Sequence, residues 1–311
     1  MPGTMDIPAK PWPTGLSEQC EPLVRRVLAP NASHYTFTGT QTYIVGAGDE
    51  VAVIDPGPAD DGADSEPSPF KGADTNGKGH VEAILAAVGE ARIGAILCTH
   101  THRDHSPAAT VLKARTGAPI IGCAPLVLSD DGPRADSAFD HSYAPDQVLA
   151  DGERISGPDW TIEAVATPGH TSNHLCYALV ESGALFTGDH VMAWSTSVVS
   201  PPDGDMAAYM ASLAKLYERE DKVLYPAHGP AVVKPKQLVR GMLGHRRSRE
   251  AQILRQLEGG AQTIPQFVAA MYKGLDPRLT GAAGRSVLAH LFDLKTRGIV
   301  TEEDETWRLS S

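Results

Sequence analysis

Apolar and polar positions alternate in short stretches through most of the chain. Runs of β-branched and aromatic residues are separated by breaks of Gly, Pro and Asp, which is the pattern of strands in a globular domain. These runs predict strands at residues 40–45, 51–55, 93–99, 119–122, 160–167, 174–180, 184–189 and 222–228. Helical periodicity predicts helices at residues 80–90, 106–116 and 205–219. Strands and helices in alternation predict an α/β (α+β) body.

One stretch interrupts this pattern. Residues 56–80 are crowded with Gly, Pro and Asp and are too polar to build a packed element. We expect a long loop there, either a mobile surface insertion or part of an active-site rim. Its acidic residues are Asp60, Asp61, Asp64, Glu66 and Asp74.

After Pro235 the pattern becomes helix-rich. It predicts helices at about 236–259, 264–273 and 280–297, and a terminal β-hairpin in IVTEEDETWRL. Three helices and a hairpin indicate a winged-helix-like module, so we expect a catalytic domain over 1–235 and a small domain over 236–311. Residues 281–284 are Gly and Ala, so the first turn of the would-be recognition helix has no side chain suited to contacting DNA bases. A role in packing, homodimer formation or substrate guidance is therefore favoured over DNA binding.

Composition bears on the cellular location of the protein and on the distribution of its charge. Of the 311 residues, 41% are hydrophobic and 21% charged, and no apolar run approaches the ~20 residues that span a bilayer. The N-terminus lacks the apolar segment of a signal peptide, so we expect a cytoplasmic protein without a membrane partner. The net charge of -11 is uneven, since residues 236–311 hold 12 Lys and Arg against 8 Asp and Glu. The rest of the chain therefore carries a net -15 and forms an acidic body.

The segment CTHTHRDHSP is rich in side chains that bind metal ions. It places four candidate metal ligands directly after the apolar run 93–99: His100, His102, Asp104 and His105. Two His separated by one residue cannot share a helix face, but both can turn toward one point in a loop beyond a strand. Imidazole and carboxylate suit Zn²⁺, Mn²⁺ or Fe²⁺. A polar surface loop is the less favoured interpretation.

Three further candidates follow other predicted strands. His170 comes after 160–167, Asp189 ends 184–189, and His228 ends 222–228. Strand ends of a common sheet place their side chains on one rim. Seven ligands are enough for two metal sites. His174, His190 and His245 lie near these motifs but are interpreted as structural or rim histidines.

The motif H-x-H-x-D-H, followed by GHT, GD and a late HG, resembles the metallo-β-lactamase superfamily over residues 30–230. The resemblance implies an αββα sandwich with a two-metal site, most often zinc. It assigns His100, His102 and His170 to one ion, Asp104, His105 and His228 to the other, Asp189 as the bridge and Asp55 as a supporting carboxylate. It also implies a hydrolase whose nucleophile is a hydroxide shared by the two ions, with Asp104 orienting that hydroxide.

Within the superfamily, three segments resemble lactamase-beta-2-like hydrolases, which include an endoribonuclease acting on single-stranded RNA. The segments are residues 99–108, 188–210 and 245–254. For RNA, Arg246, Arg247 and Arg249 would contact phosphates and Trp194 would stack on a base. Without the resemblance, a solvated helix face explains the arginines equally well, and Trp194 is more often a core residue.

Two other functions stay open. The acidic body should repel RNA, which favours a hydrolase of small acyl substrates: a β-lactam, ester, thioester or lactone. A winged-helix regulator that keeps a metal domain as a sensor would bind metal without turnover. We also expect truncation near Pro235 to leave metal binding intact and to weaken RNA cleavage if the C-terminal domain guides substrate.

Overall fold

Two β-sheets stacked face to face form the centre of the N-terminal part of the chain. The computed structural model describes residues 13–59, 79–127 and 139–310. The first sheet has seven strands in chain order, antiparallel from β1 to β4 and parallel from β4 to β7. They are β1 (Ser17–Glu21), β2 (Val24–Leu28), β3 (Gln41–Val45), β4 (Glu50–Ile54), β5 (Arg92–Cys98), β6 (Ile120–Gly122) and β7 (Gln147–Val148).

The second sheet has five strands in the order β12-β11-β10-β9-β8. They are β8 (Arg154–Ser156), β9 (Thr161–Ala166), β10 (Leu175–Leu179), β11 (Ala184–Gly188) and β12 (Val223–Pro226). Only the β11–β12 pair is parallel. Both neighbours of β10 run antiparallel to it, so β9, β11 and β12 point the same way.

Alternation along the strands explains why this sheet is apolar on both faces. Tyr177 and Phe186 belong to the core between the sheets, whereas Cys176 and Leu185 belong to a second core under the covering helices. Successive side chains of a strand point to opposite faces, so each strand serves both cores. The result is the αββα sandwich that the resemblance implied.

Three helices lie on the outer faces of the sheets. They are α1 (His80–Val88), α2 (Pro107–Thr116) and α3 (Met206–Glu218). Asp205 caps α3 by accepting a hydrogen bond from the backbone N–H of Ala208 at 2.7 Å. The buried face of α3 includes Tyr209 and Leu213, which pack in the second core.

The C-terminal part forms a winged-helix unit with its own core. It contains α4 (Pro235–Glu258), β13 (Gln262–Thr263), α5 (Ile264–Met271), a 3-10 turn (Pro277–Leu279), α6 (Thr280–Thr296), β14 (Val300–Glu303) and β15 (Thr306–Leu309). The first half of α4 packs in the second core of the sandwich through Val239 and Met242, and its last turns pack in the C-terminal core through Ile253 and Leu257. The division predicted after residue 235 therefore falls one residue into a helix that both parts share.

Most predicted elements are present with bounds shifted by a few residues. The apolar pattern missed β1, which is largely exposed, β2, whose apolar run is broken by Arg25 and Arg26, and the short strands β7, β8 and β13. Residues 56–59 of the predicted long loop have no helix or strand. Residues 60–78, with all five acidic positions, lie outside the described residues.

Among the helices of the described ranges, none is both long enough and apolar enough to cross a lipid bilayer.

Candidate metal centre

The seven predicted ligands lie together at one edge of the sandwich. One group follows β5, and the others follow β9, β11 and β12. Because β9, β11 and β12 point the same way, their carboxyl ends meet at this edge. The residues are His100, His102, Asp104, His105, His170, Asp189 and His228. The fold thus brings together residues that are up to 128 positions apart in the chain.

Three imidazoles form one side of the cluster, here named the His170 half: His100, His102 and His170. Nδ1 of His102 lies 2.8 Å from Nε2 of His100 and 3.1 Å from Nε2 of His170. The rings of His102 and His170 meet edge to face at an interplanar angle of 77°. Three nitrogens therefore converge on one point.

The other side, the His228 half, consists of Asp104, His105 and His228. Oδ2 of Asp104 lies 3.1 Å from Nε2 of His228 and 3.4 Å from Nε2 of His105. The side chain of Asp104 is 28% exposed whereas that of His105 is fully buried. Asp104 therefore faces the open side of the cluster.

Asp189 lies between the halves and offers one oxygen to each. Its Oδ2 is 3.7 Å from Nε2 of His170, and its Oδ1 is 3.3 Å from Nε2 of His228 and 3.7 Å from Nε2 of His105. A carboxylate in this position is able to bridge two ions.

Unpaired atoms inside the cluster test whether metal ions fit. Nε2 of His105, Nε2 of His228 and Oδ1 of Asp189 are buried and find no hydrogen-bond partner among the described residues. Buried polar atoms without partners cost free energy, and divalent cations would satisfy all three. The residues therefore fit divalent metal ions, and nitrogen and oxygen ligands of this kind accept Zn²⁺, Mn²⁺ or Fe²⁺.

Asp55 supports the His228 half from behind. It directly follows β4 with a left-handed backbone (φ 48°). Its carboxylate accepts hydrogen bonds from the backbone N–H and the hydroxyl of Thr99 at 2.7 and 2.8 Å, and lies 3.1 Å from Nδ1 of His105. Nδ1 of His228 is 3.2 Å from the carbonyl oxygen of Gly39. Both contacts place the proton on Nδ1, so Nε2 of each histidine is directed into the cluster.

The His170 half is supported by other groups. The Thr99 hydroxyl lies 3.0 Å from Nδ1 of His100, and the Phe139 ring packs on His102 at 4.7 Å between centroids. Nδ1 of His170 donates to the carbonyl oxygen of Val198 at 2.6 Å. Gly169, directly before His170, has φ 134°, and a Cβ there would lie 2.3 Å from the backbone of Tyr209. The turn before His170 therefore requires glycine.

Burial and neighbouring charges shift the pKa values of His102 and His228, one from each half, in opposite directions. Burial, reinforced by His170, lowers the pKa of His102 to about 3, and burial with His105 lowers the pKa of His100 well below its usual value. Burial alone would also lower the pKa of His228, but Asp189 and Asp104 raise it above its usual value. His100 and His102 therefore present neutral imidazoles, the form that binds metal, before any ion arrives.

The residues predicted to contact substrate lie in different surroundings. Trp194 is half-buried and stacks on Phe37 with ring centroids 5.0 Å apart. Arg246 is buried at 3% exposure. Arg249 binds the carbonyl oxygen of Met271 and lies over the Tyr272 ring.

Only Arg247 of the three arginines is exposed. A phosphate contact needs a guanidinium that solvent can reach, because phosphate is a solvated anion. The burial of Arg246 therefore contradicts its predicted role as an RNA contact. Contacts of Trp194, Arg247 and Arg249 with substrate stay predictions.

Sequence reasoning missed several supporting groups. Thr99 could have been noticed, because it ends a predicted strand beside the ligand motif. Gly39 and Val198 act through backbone carbonyls, which carry no side-chain signal. His174 and His190, interpreted as structural histidines, are buried and belong to none of the groups of the described residues that could hold a metal ion.

Comparisons with known families agree with this geometry. Residues 35–228 match the family described as "Metallo-beta-lactamase superfamily", and residues 263–307 match "Beta-lactamase associated winged helix domain". Two solved structures under 25% identical to the chain share the fold. A metallo-beta-lactamase family protein from Thermus thermophilus has a TM-score of 0.72 at 18% identity, with 94% of this chain and 100% of that chain covered. A beta-lactamase domain protein from Burkholderia ambifaria has a TM-score of 0.75 at 18% identity, with 97% and 96% covered.

Curated relatives are similar over most of the chain. An atrochrysone carboxyl ACP thioesterase from Aspergillus fumigatus is 33% identical, with 81% of this chain and 74% of that protein covered. A protein of the same name from Aspergillus terreus is 30% identical, with 84% and 76% covered. The resemblance to endoribonucleases finds no support in these names. The chain belongs to the metallo-β-lactamase superfamily and is a hydrolase of that fold with the associated winged-helix domain.

Proposed function

We propose that the protein hydrolyses acyl thioesters at a two-metal centre. The observation that carries the proposal is the seven-residue cluster, in which Asp189 offers one oxygen to each half. His100, His102 and His170 would hold one ion, and Asp104, His105 and His228 the other. Zn²⁺ is the first choice, with Mn²⁺ and Fe²⁺ as alternatives, because the ligand set accepts all three.

The protein groups have separate tasks. Bound divalent ions supply a water molecule of lowered pKa and polarise a carbonyl oxygen. Asp104 is the ligand carboxylate with the larger exposed fraction, so it can orient water on the open side. His105 and Asp55 form a buried pair that fixes the floor of the site. No serine or cysteine nucleophile is needed for this chemistry.

Charge favours an acyl substrate over RNA. Residues 1–235 carry a net -15, which disfavours a polyanion near the cluster. Two of the arginines expected to bind phosphate are used inside the protein, since Arg246 and Arg249 bind the carbonyl oxygens of Ser197 and Met271. The relatives from Aspergillus bear thioesterase names, which supports a thioester among the acyl substrates.

A substrate panel tests the proposal. The Zn²⁺-loaded protein would be assayed with an acyl thioester of N-acetylcysteamine, a p-nitrophenyl ester, nitrocefin, bis-p-nitrophenyl phosphate and a single-stranded RNA. We expect the highest kcat/KM with the thioester and loss of that activity after chelation, with recovery when Zn²⁺ is restored.

Preparations that carry His102→Ala serve as the control for contaminating hydrolases. Faster cleavage of the phosphodiester or the RNA than of the thioester would refute the substrate class. Full metal loading without turnover of any substrate would favour the metal-sensing regulator.

A further inference from the structure

The carbonyl group that holds His170 belongs to a loop between β11 and α3. We name residues 190–199 of this loop the 190–199 segment. Its Val198 accepts the hydrogen bond from Nδ1 of His170 at 2.6 Å. The Ser197 hydroxyl donates to the carbonyl oxygen of His190 at 2.8 Å, so the two ends of the segment are tied together. The position of Val198 therefore depends on what holds this segment.

A buried arginine from α4 holds it. The guanidinium of Arg246 donates one hydrogen bond to the carbonyl oxygen of Ser197 and another to the hydroxyl of Ser286 in α6 at 3.1 Å. Its Cζ lies 5.1 Å from the centre of the Tyr209 ring, and the Tyr209 hydroxyl donates to the carbonyl oxygen of His190 at 3.1 Å. Arg246 forms no ion pair with a carboxylate among the described residues. Its charge is thus directed at a backbone carbonyl one residue from Val198.

We propose that Arg246 is a positioning residue for the metal centre, which acts on His170 through the 190–199 segment. The inference rests on the metal centre of the proposed function and does not depend on the substrate. Among the described residues, the hydrogen bonds of Arg246 go to Ser197 and Ser286, neither of which is a candidate ligand.

The hydrogen bond to Val198 gives this arrangement its effect. A carbonyl oxygen can only accept a hydrogen bond, so it keeps the proton of His170 on Nδ1 and leaves the lone pair of Nε2 directed at the cluster. Partners of this kind orient ligands, and their loss typically costs about 10- to 100-fold in metal affinity. Loss of Arg246 would free the Ser197 carbonyl and let Val198 shift. Because Arg246 acts on His170 only indirectly, we expect a loss of metal affinity near the lower end of that range, about 10-fold.

Arginine suits this position for a geometric reason. Its planar fork reaches Ser197 and Ser286 at once, whereas the single ammonium group of lysine has no such fixed geometry. Arg246 therefore links α6, α4 and the 190–199 segment. The winged-helix unit would then complete the support of the His170 half, and truncation near Pro235 should weaken metal binding rather than leave it intact, contrary to the expectation from sequence.

The experiment compares Zn²⁺ binding by metal-free wild-type protein with that of three full-length variants. Arg246→Met removes both hydrogen bonds, Arg246→Lys keeps the charge, and Ser286→Ala removes one partner only. The matched control is Arg249→Met, because Arg249 lies about one turn further along α4, also binds a backbone carbonyl and also covers a tyrosine ring, but within the C-terminal unit.

The readouts are Zn²⁺ affinity by competition with a chelating dye, and the visible absorption of the Co²⁺-loaded protein. We expect Arg246→Met to weaken binding of one of two Zn²⁺ equivalents about 10-fold and to change the Co²⁺ spectrum. Arg246→Lys and Ser286→Ala should show smaller losses. Arg249→Met should lower thermal stability while it leaves the affinity and the spectrum unchanged.

Two results would overturn the inference. One is unchanged affinity and spectrum in folded Arg246→Met, or in Ser286→Ala and Arg246→Lys if the methionine variant does not fold. The other is an equal loss in Arg249→Met, which would reveal a general effect of instability. A wild-type protein that binds no Zn²⁺ or Co²⁺ would instead refute the metal centre itself, so the two failures are distinguishable.

Discussion

The two halves of the candidate metal cluster differ in composition, three histidines against two histidines and an aspartate, and they are held by different parts of the protein. In the His228 half, His105 is held by Asp55 and His228 by the Gly39 carbonyl, both within the sandwich. In the His170 half, His170 is held by Val198, whose loop is bound by Arg246 from the shared helix α4. The sandwich alone is sufficient to position one half, whereas the other also uses the winged-helix unit.

This difference assigns a role to the winged-helix unit that needs no contact with substrate. Ser286 of α6 accepts a hydrogen bond from Arg246, and the last turns of α4 pack in the core of the unit itself. The resemblance to endoribonucleases had assigned Arg246 to RNA phosphates, yet its guanidinium is buried and donates to the Ser197 carbonyl of the hydrolase domain. Structural support of a loop explains the arginine better than phosphate binding does.

Loss of a ligand from either half should have the largest effect. His102→Ala and His228→Ala should each lower kcat/KM about 1,000-fold, because both ions contribute several kcal/mol to the stabilisation of developing charge. Metal analysis should show one ion lost from each variant. Unchanged turnover in His102→Ala would remove the basis for a catalytic cluster.

Loss of the supporting carboxylate should have an intermediate effect that is confined to the His228 half. Asp55→Asn keeps the size of the side chain and tolerates the left-handed backbone. One of its two acceptor oxygens becomes an NH₂ group, which cannot accept from Thr99 or His105. We expect metal affinity at one site to fall about 10- to 100-fold. A Co²⁺ spectrum that changes in the same way as in Arg246→Met would contradict the separation of the halves.

Loss of the Thr99 hydroxyl should have the smallest effect and should touch both halves. Thr99→Val removes the hydroxyl that donates to Asp55 and lies beside Nδ1 of His100. A lost hydrogen bond of this kind is worth about 1 kcal/mol, so activity should fall about five-fold. Titration with Zn²⁺ should show weaker binding of both equivalents. An effect on only one of them would place Thr99 in a single half.

The sequence was informative where a side chain itself carries the function. Apolar runs predicted β5, β9, β11 and β12. The candidate ligands directly after them were recognisable, because metal binding needs particular side chains at strand ends. Arg246 was equally visible as a charged residue in HRRSREAQIL, but its burial was not. A helix exposes or buries a residue according to what packs on it, and the hydrogen-bond partners of Arg246 are 40 and 49 positions away in the chain.

By itself, the sequence determined most of the strands and helices, the candidate metal ligands and the family, because hydrophobic periodicity and ligand chemistry are local properties. Only the tertiary structure decided which atoms of those ligands converge, which carbonyl groups hold them and where the arginines are directed. Backbone carbonyls such as those of Gly39 and Val198 leave no trace in the residue types, so their roles emerge only when distant segments pack together.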